Sequence, residues 1–365
     1  DLDTDQELQL RSRLDYALNN LNGERPELPT NLLLSLHSAL EISQCIEQTA
    51  TYTMLVNAVT NVYNSLYPSQ EVIAQVATAV SNVAENPTAL AGSVQILTMD
   101  IFETLVQGAI DNGLDDSAAR AFTRIGSKLM AAADELLPPR SILPNLPRNI
   151  ENISAISDSR LVTYAERAVL VAQLGARVEG VLKKLSQAQL NGRIAGEAEI
   201  VTEEDNFIMQ VRRLSATDPA LRDMLVSATG TSSDFFDLPE GLLDNQDAAI
   251  LADSVSYKMI NYRLNPLLAQ AASMPADQYM STISSLTLYG TDPTTREPAE
   301  LPIQQLDKPI MVGIAIPTAY QNYNNPAKQA NCKWFDSIDN KWKDSGCTVI
   351  AVSNSTINCS CTHLT

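Results

Sequence analysis

Hydrophobic positions in the first half of the chain recur at helical spacing. Leu33, Leu36, Leu40 and Ile46 form one stripe, Val72, Val76, Val80 and Val83 a second, and Leu90, Val94, Leu97, Ile101 and Leu105 a third. A period of three to four residues places each set on one helix face, which must be buried against another element. Breakers punctuate the series. Pro87 in ENPTAL falls near a helix start, the stretches LPPR and LPNLP between Leu137 and Pro147 mark a loop, and Gly192 in QLNGR ends the last long helix. Beyond Gly192 the pattern changes to short, partly alternating stretches rich in aromatic and β-branched residues: EAEIVTEEDNFIMQVRRL, DFFDLP, DSVSYKMINYRL, MSTISSLTLYG and PIMVGIAIP. Alternation broken by turn-formers predicts antiparallel strands. The expected fold class is α+β, with an all-helical part over residues 1–193, an antiparallel β part over 194–365, and a loop-rich region at 229–248.

Composition narrows the function. The chain has 365 residues, a net charge of −18 and a pI near 4.5. Nucleic acids and anionic lipids need a basic footprint, so neither is an expected partner. No run approaches the ~18 apolar residues of a membrane span. The chain starts at Asp1 without a signal-like stretch, and is expected to be a processed or excised piece of a longer protein.

Cysteine placement is asymmetric. Cys45 stands alone and reads as a buried thiol, with pairing to another part of a longer parent chain as the alternative, whereas Cys332, Cys347, Cys359 and Cys361 cluster at the end of the chain. Four such residues suggest two disulfides or one metal site, and Cys359-x-Cys361-x-His363 has the ligand types of a zinc half-site. Three Asn-x-Ser/Thr sequons, at Asn152, Asn354 and Asn358, are expected glycosylation sites. They favour a secretory compartment, where disulfides persist. The other histidine, His37, falls beside Leu33, Leu36 and Leu40 and reads as a packing or surface residue. Acidic runs at Glu203-Glu204-Asp205 and from Asp111 to Asp116 lack an EF-hand pattern and read as solvated turns.

Residues 332–365, CKWFDSIDNKWKDSGCTVIAVSNSTINCSCTHLT, contain both tryptophans, Trp334 and Trp342, and the spacing C-x14-C-x11-C-x-C followed by x-His-Leu-Thr. This resembles the GPCR proteolysis site, or GPS, in which a tryptophan and a Gly-Cys pair (here Gly346-Cys347) lie inside the cysteine frame and Cys-x-Cys-x-His-Leu-Thr closes it. In that family the GPS ends a GAIN domain, with a helical first subdomain and a β-sandwich second one. The stretch LYGTDPTTREPAELPIQQLDKPIMVGIAIP resembles the strands before the GPS in polycystin-1-like proteins more than in adhesion receptors. Carried over, the resemblance implies disulfides Cys332–Cys359 and Cys347–Cys361 and structural roles for Trp334, Trp342 and Gly346. The cysteine spacing fits common zinc ribbons poorly and the sequons favour oxidation, so no metal or cofactor is expected.

It also implies self-cleavage between Leu364 and Thr365. The Thr365 hydroxyl attacks the carbonyl of Leu364, its entropy cost largely prepaid because the two are adjacent. His363 is the general base, and water cleaves the resulting ester. A folded module of the same kind that does not cleave, serving structure or adhesion, is the alternative. Expected partners are the module's own β-strand and membrane region following Thr365, together with an unidentified extracellular protein ligand. The expected location is the extracellular side of a plasma or ciliary membrane.

Overall fold

The structure, a computed structural model, describes residues 48–85, 93–136, 159–190, 193–218, 224–228, 234–264 (without 245, 247, 252 and 253), 282–316 (without 296, 297 and 305) and 330–364 (without 337, 338 and 340). The stripe from Leu33 to Ile46, His37, Cys45, Pro87, Leu90, the 137–147 loop, Asn152, Gly192 and Thr365 lie outside the described residues. The chain divides into two compact units, residues 1–137 with 167–188, and residues 138–166 with 189–365.

Among the described residues, five helices lie in the first half: α1 (Gln48–Ser65), α2 (Gln70–Val83), α3 (Ser93–Asn112), α4 (Asp116–Leu136) and α5 (Ser159–Leu190). Ser69 starts α2 by accepting a hydrogen bond from the Val72 N–H. Asp115 does the same for α4, taking the N–H groups of Ser117 and Ala118, so part of the acidic run at 111–116 serves as a helix cap. The apolar stripes face inward: Val76, Val80 and Val83 on α2, and Val94, Ile101 and Leu105 on α3, are all buried. The buried face of α3 is centred slightly off the sequence stripe, since Met99, Phe102 and Val106 are fully buried while Leu97 is only half-buried. Phe102 meets Phe122 of α4 with ring centroids 6.1 Å apart. Arg177 on α5 grips Asp100 at 2.6 Å and Glu103 at 2.8 Å on α3. That pairing holds the Glu103 carboxyl below its ordinary range.

The second half is an antiparallel β-sandwich. One sheet runs β1-β2-β5-β6-β7, from β1 (Ile200–Glu203), β2 (Phe207–Ser215), β5 (Ser254–Tyr262), β6 (Ile283–Thr291) and β7 (Pro298–Glu300). The other runs β11-β12-β8-β4-β3, from β3 (Met224–Ser227), β4 (Phe235–Leu238), β8 (Ile310–Ala315), β11 (Cys347–Val352) and β12 (Thr356–Cys361). A separate hairpin pairs β9 (Trp334–Asp336) with β10 (Lys341–Lys343). A single turn, α6 (Ala248–Leu251), precedes β5. Leu214, Tyr257, Met259, Leu286 and Leu288 of the first sheet meet Met224, Val226, Phe236, Leu238, Ile310 and Val312 of the second in one core, which also takes in the four clustered cysteines.

Within the span 229–248, expected to be loop-rich, strand β4 falls on DFFDLP, one of the stretches expected to form strands; it is internal to its sheet, paired with both β3 and β8. Just before it, Asp234 is fully buried, and its carboxylate accepts hydrogen bonds from Asn261 of β5, Thr282, Ser284 of β6 and the Ala315 N–H of β8. One side chain thereby ties the two sheets together. The acidic run Glu203-Glu204-Asp205 is likewise held: Arg263 pairs with Glu203 at 2.5 Å and donates to the Glu204 carbonyl at 3.0 Å.

Candidate functional site

The site is built where the second sheet runs out. In the pairing of β11 with β12, Cys347 stands directly opposite Cys361, and a disulfide joins them. A second disulfide ties Cys359 to Cys332, in the segment leading to β9, so the pairs formed are those the family resemblance implies. All four are buried. With every sulfur of the cluster paired, no thiolate is left for a zinc ion. Among the described residues, no group of three or more His, Cys, Asp or Glu side chains could hold a metal. Loops of this length give each crosslink about 3 to 4 kcal/mol in the chain-entropy account.

Past Cys361 the backbone is held from two directions. The Thr362 N–H and hydroxyl both donate to the Gly346 carbonyl, at 2.9 Å and 3.3 Å, on the turn before β11. From the other side, the Leu306 N–H donates to the Thr362 carbonyl at 3.1 Å, and the Leu364 N–H donates to the Ile303 carbonyl at 3.0 Å. The Leu364 side chain packs against the sandwich core. Each residue up to the expected scissile bond is therefore fixed by its main chain or its side chain.

His363 projects into a seat made by two residues of the cysteine frame. Trp334 meets its ring edge to face, with centroids 4.5 Å apart and planes at 71°. The indole is itself anchored, since Nε1 donates to the Ser345 carbonyl at 2.7 Å. Lys343 stands 5.8 Å from the indole centroid and is paired with Asp336 and Asp339. The rest of the seat is made by Gly346, at φ +80°, in the left-handed region that favours glycine. A Cβ there would come 2.7 Å from Cε1 and 2.8 Å from Nδ1 of His363. Trp342 braces the hairpin from its partner strand, opposite Phe335 with ring centroids 5.5 Å apart.

Burial pushes the His363 imidazole below its ordinary value of 6.5. Its Nε2 is shut off from solvent and has no hydrogen-bond partner among the described residues. A neutral imidazole with an unused nitrogen can accept a proton, which is the chemistry a base next to a hydroxyl requires. The sign of the pH effect follows. The unfolded chain binds more protons at this residue than the folded one, so its contribution to stability is complete above about pH 6.5 and declines as the pH falls below that. The neutral, proton-accepting form of His363 should persist further into acid in the folded protein than for a free histidine. Cleavage rates measured between about pH 5 and 8 are expected to stay flat through neutrality and to fall only below pH 6.5; a fall already complete at pH 7 would contradict this seat.

The remaining sequence-derived residues are dispersed. Asn354 is exposed on the turn between β11 and β12, whereas Asn358 is half-buried within β12. Ser345, Ile303 and Leu306 are contributors that the sequence did not single out. They act through backbone atoms, which no side-chain pattern announces.

A β-sandwich whose last strand is stapled by two disulfides, with a seated histidine beside the chain's final Leu-Thr, defines a class. Residues 198–365, a little under half of the chain, match the family model "GPS: GAIN subdomain B". No curated protein matches the chain. Among solved structures it is similar to the full extracellular region of zebrafish Gpr126/Adgrg6, with a TM-score of 0.49 and 13% identity. That match covers 83% of this chain and 35% of the other, so the chain spans about a third of that protein's length.

Proposed function

We propose that the module cleaves itself once, between Leu364 and Thr365, on the extracellular side of a membrane protein of adhesion-receptor or polycystin type. The observation that carries the reading is the seating of His363: a half-buried imidazole with an unused nitrogen, two residues before a threonine, on a backbone pinned through Thr362 and Leu364. In this reading His363 takes the Thr365 hydroxyl proton as the oxygen attacks the Leu364 carbonyl. The C–N bond opens to an ester, the freed amine becomes a new N-terminus, and water returns Leu364 as a carboxylate. The fragments stay together through strand pairing, so the cut creates a joint while preserving the fold.

The test is the intact mass of the secreted protein carrying its natural continuation. Two fragments meeting at Leu364 and Thr365 are expected under denaturing conditions. One unbroken chain is expected for Thr365→Ala, with partial cleavage for Thr365→Ser, which keeps a hydroxyl. A wild-type protein that stays whole would reduce the module to a structural one.

A further inference from the structure

We propose that Asn354, and not Asn358, carries an N-linked oligosaccharide, and that this glycan covers the apolar edge strand β11. The inference rests on the extracellular placement proposed above. Among the described residues, strand β11 ends its sheet, with β12 as its one neighbour in the strand order. It exposes two large apolar side chains, Ile350 at 53% and Val352 at 57%. An open, apolar edge is a template for pairing with another chain, and folded proteins protect such edges. One protection is already visible: the register shifts between Val349 and Ala351, leaving Ile350 as a bulge without a partner on β12. A bulge spoils the ladder, yet it presents the isoleucine to solvent.

The second protection is placed by the turn that follows. The Ser353 N–H donates to the Thr356 carbonyl at 2.8 Å, closing a two-residue turn with Asn354 and Ser355 at its tip. The Ser353 hydroxyl accepts from the N–H groups of Ser355 and Thr356, at 3.2 Å and 2.9 Å, which holds the turn's shape. Asn354 is exposed there, at the head of an Asn-Ser-Thr sequon. At the strand rise of ~3.3 Å per residue, Val352 lies about 7 Å and Ile350 about 13 Å back along the chain. A bulky, hydrophilic oligosaccharide rooted at Asn354 reaches over both.

Asn358 has the opposite setting. It pairs with Ala351 on one side and Gly313 on the other, and its Oδ1 is buried without a partner among the described residues. Its neighbour Cys359 is buried in the disulfide to Cys332. A chain glycosylated at Asn358 would have to root the sugar on a half-buried side chain inside the sheet, where β11 and β8 flank it on both sides. In the transfer itself, the Asn354 Nδ2 bonds to the anomeric carbon of a lipid-pyrophosphate-linked oligosaccharide. The anomeric C–O bond breaks, the pyrophosphate leaves with its electron pair, and the amide nitrogen loses a proton.

The test uses the secreted protein with its natural continuation. Enzymatic deglycosylation in heavy-oxygen water marks each formerly occupied asparagine, and fragment spectra assign the mark. A mark at Asn354 with Asn358 unmarked is expected. Asn354→Gln and Thr356→Ala should each lose that glycan and self-associate, raising the weight-average mass about twofold as edges pair. Adding Ile350→Thr and Val352→Thr should restore the monomer. A mark at Asn358, or glycan-free variants as monomeric as the parent, overturns the inference. Intact disulfides with Asn354 unmarked overturn it alone, whereas free thiols at the four clustered cysteines with no glycan anywhere overturn the extracellular reading as well.

Discussion

Self-cleavage of a Gly346→Ala protein is expected to slow by nearly as much as that of His363→Ala, roughly 10²-fold to 10⁴-fold, although alanine removes no reacting group. A Cβ at this position would sit 2.7 Å and 2.8 Å from two ring atoms of His363 and 3.0 Å from the Thr362 hydroxyl. The backbone cannot retreat cheaply, because the Gly346 carbonyl takes both hydrogen bonds from Thr362. The imidazole must therefore yield, and a base moved by about 1 Å can lose 10²-fold. Left-handed backbone strain adds about 1 kcal/mol for alanine. Gly346→Asn separates the two effects, since asparagine tolerates the left-handed backbone while still carrying a Cβ. If the asparagine variant folded, formed both disulfides and cleaved at the parent rate, the seat assigned to Gly346 would be wrong. Fragment yield over time after secretion is the readout.

Asp234→Ala is expected to lower the stability of the sandwich by at least about 3 kcal/mol, enough to reduce secretion sharply. Removing the fully buried carboxylate takes the acceptor from donors on Asn261, itself buried, and on the half-buried Thr282, Ser284 and Ala315. Each such group costs about 1 to 3 kcal/mol. Asp234→Asn keeps the shape and one acceptor oxygen, so its loss should be smaller. Denaturant melts of the two variants order them. Equal midpoints for the parent and Asp234→Ala would show that the four donors find other partners.

Much of this architecture is readable from residue order, for reasons that differ by element. On α2 the valine stripe is both the period and the buried face, because one helix turn averages the small errors of a pattern. On α3 the buried face is rotated from the stripe by a fraction of a turn. Leu97 belongs to the stripe by spacing, but the polar Thr98 and Gln95 are the ones fully buried. The strand at Phe235–Leu238 is legible as DFFDLP even among turn-formers, but its place inside the sheet is not, because that depends on pairing with β8, some seventy-five residues further on. At the site, the cysteine spacing and His-Leu-Thr are legible because they are local. The edge contact of Trp334 with His363 and the backbone bonds from Ile303 and Leu306 join positions far apart in the chain, and they exist only once both sheets have formed.

The staples also decide where a pull would be felt. A force drawing the chain away beyond Leu364 reaches β12 first at Cys361, whose disulfide passes the load directly into β11, and next at Cys359, which passes it to the segment before β9. Strand β12 is hydrogen-bonded along both sides, so tension along its axis would load those bonds in shear, together. The compliant element is then short: Thr362, His363 and Leu364, which span about 10 Å at most when fully extended. Tension would thus concentrate on the residues that seat the base and carry the bond, while the sandwich behind them stays rigid.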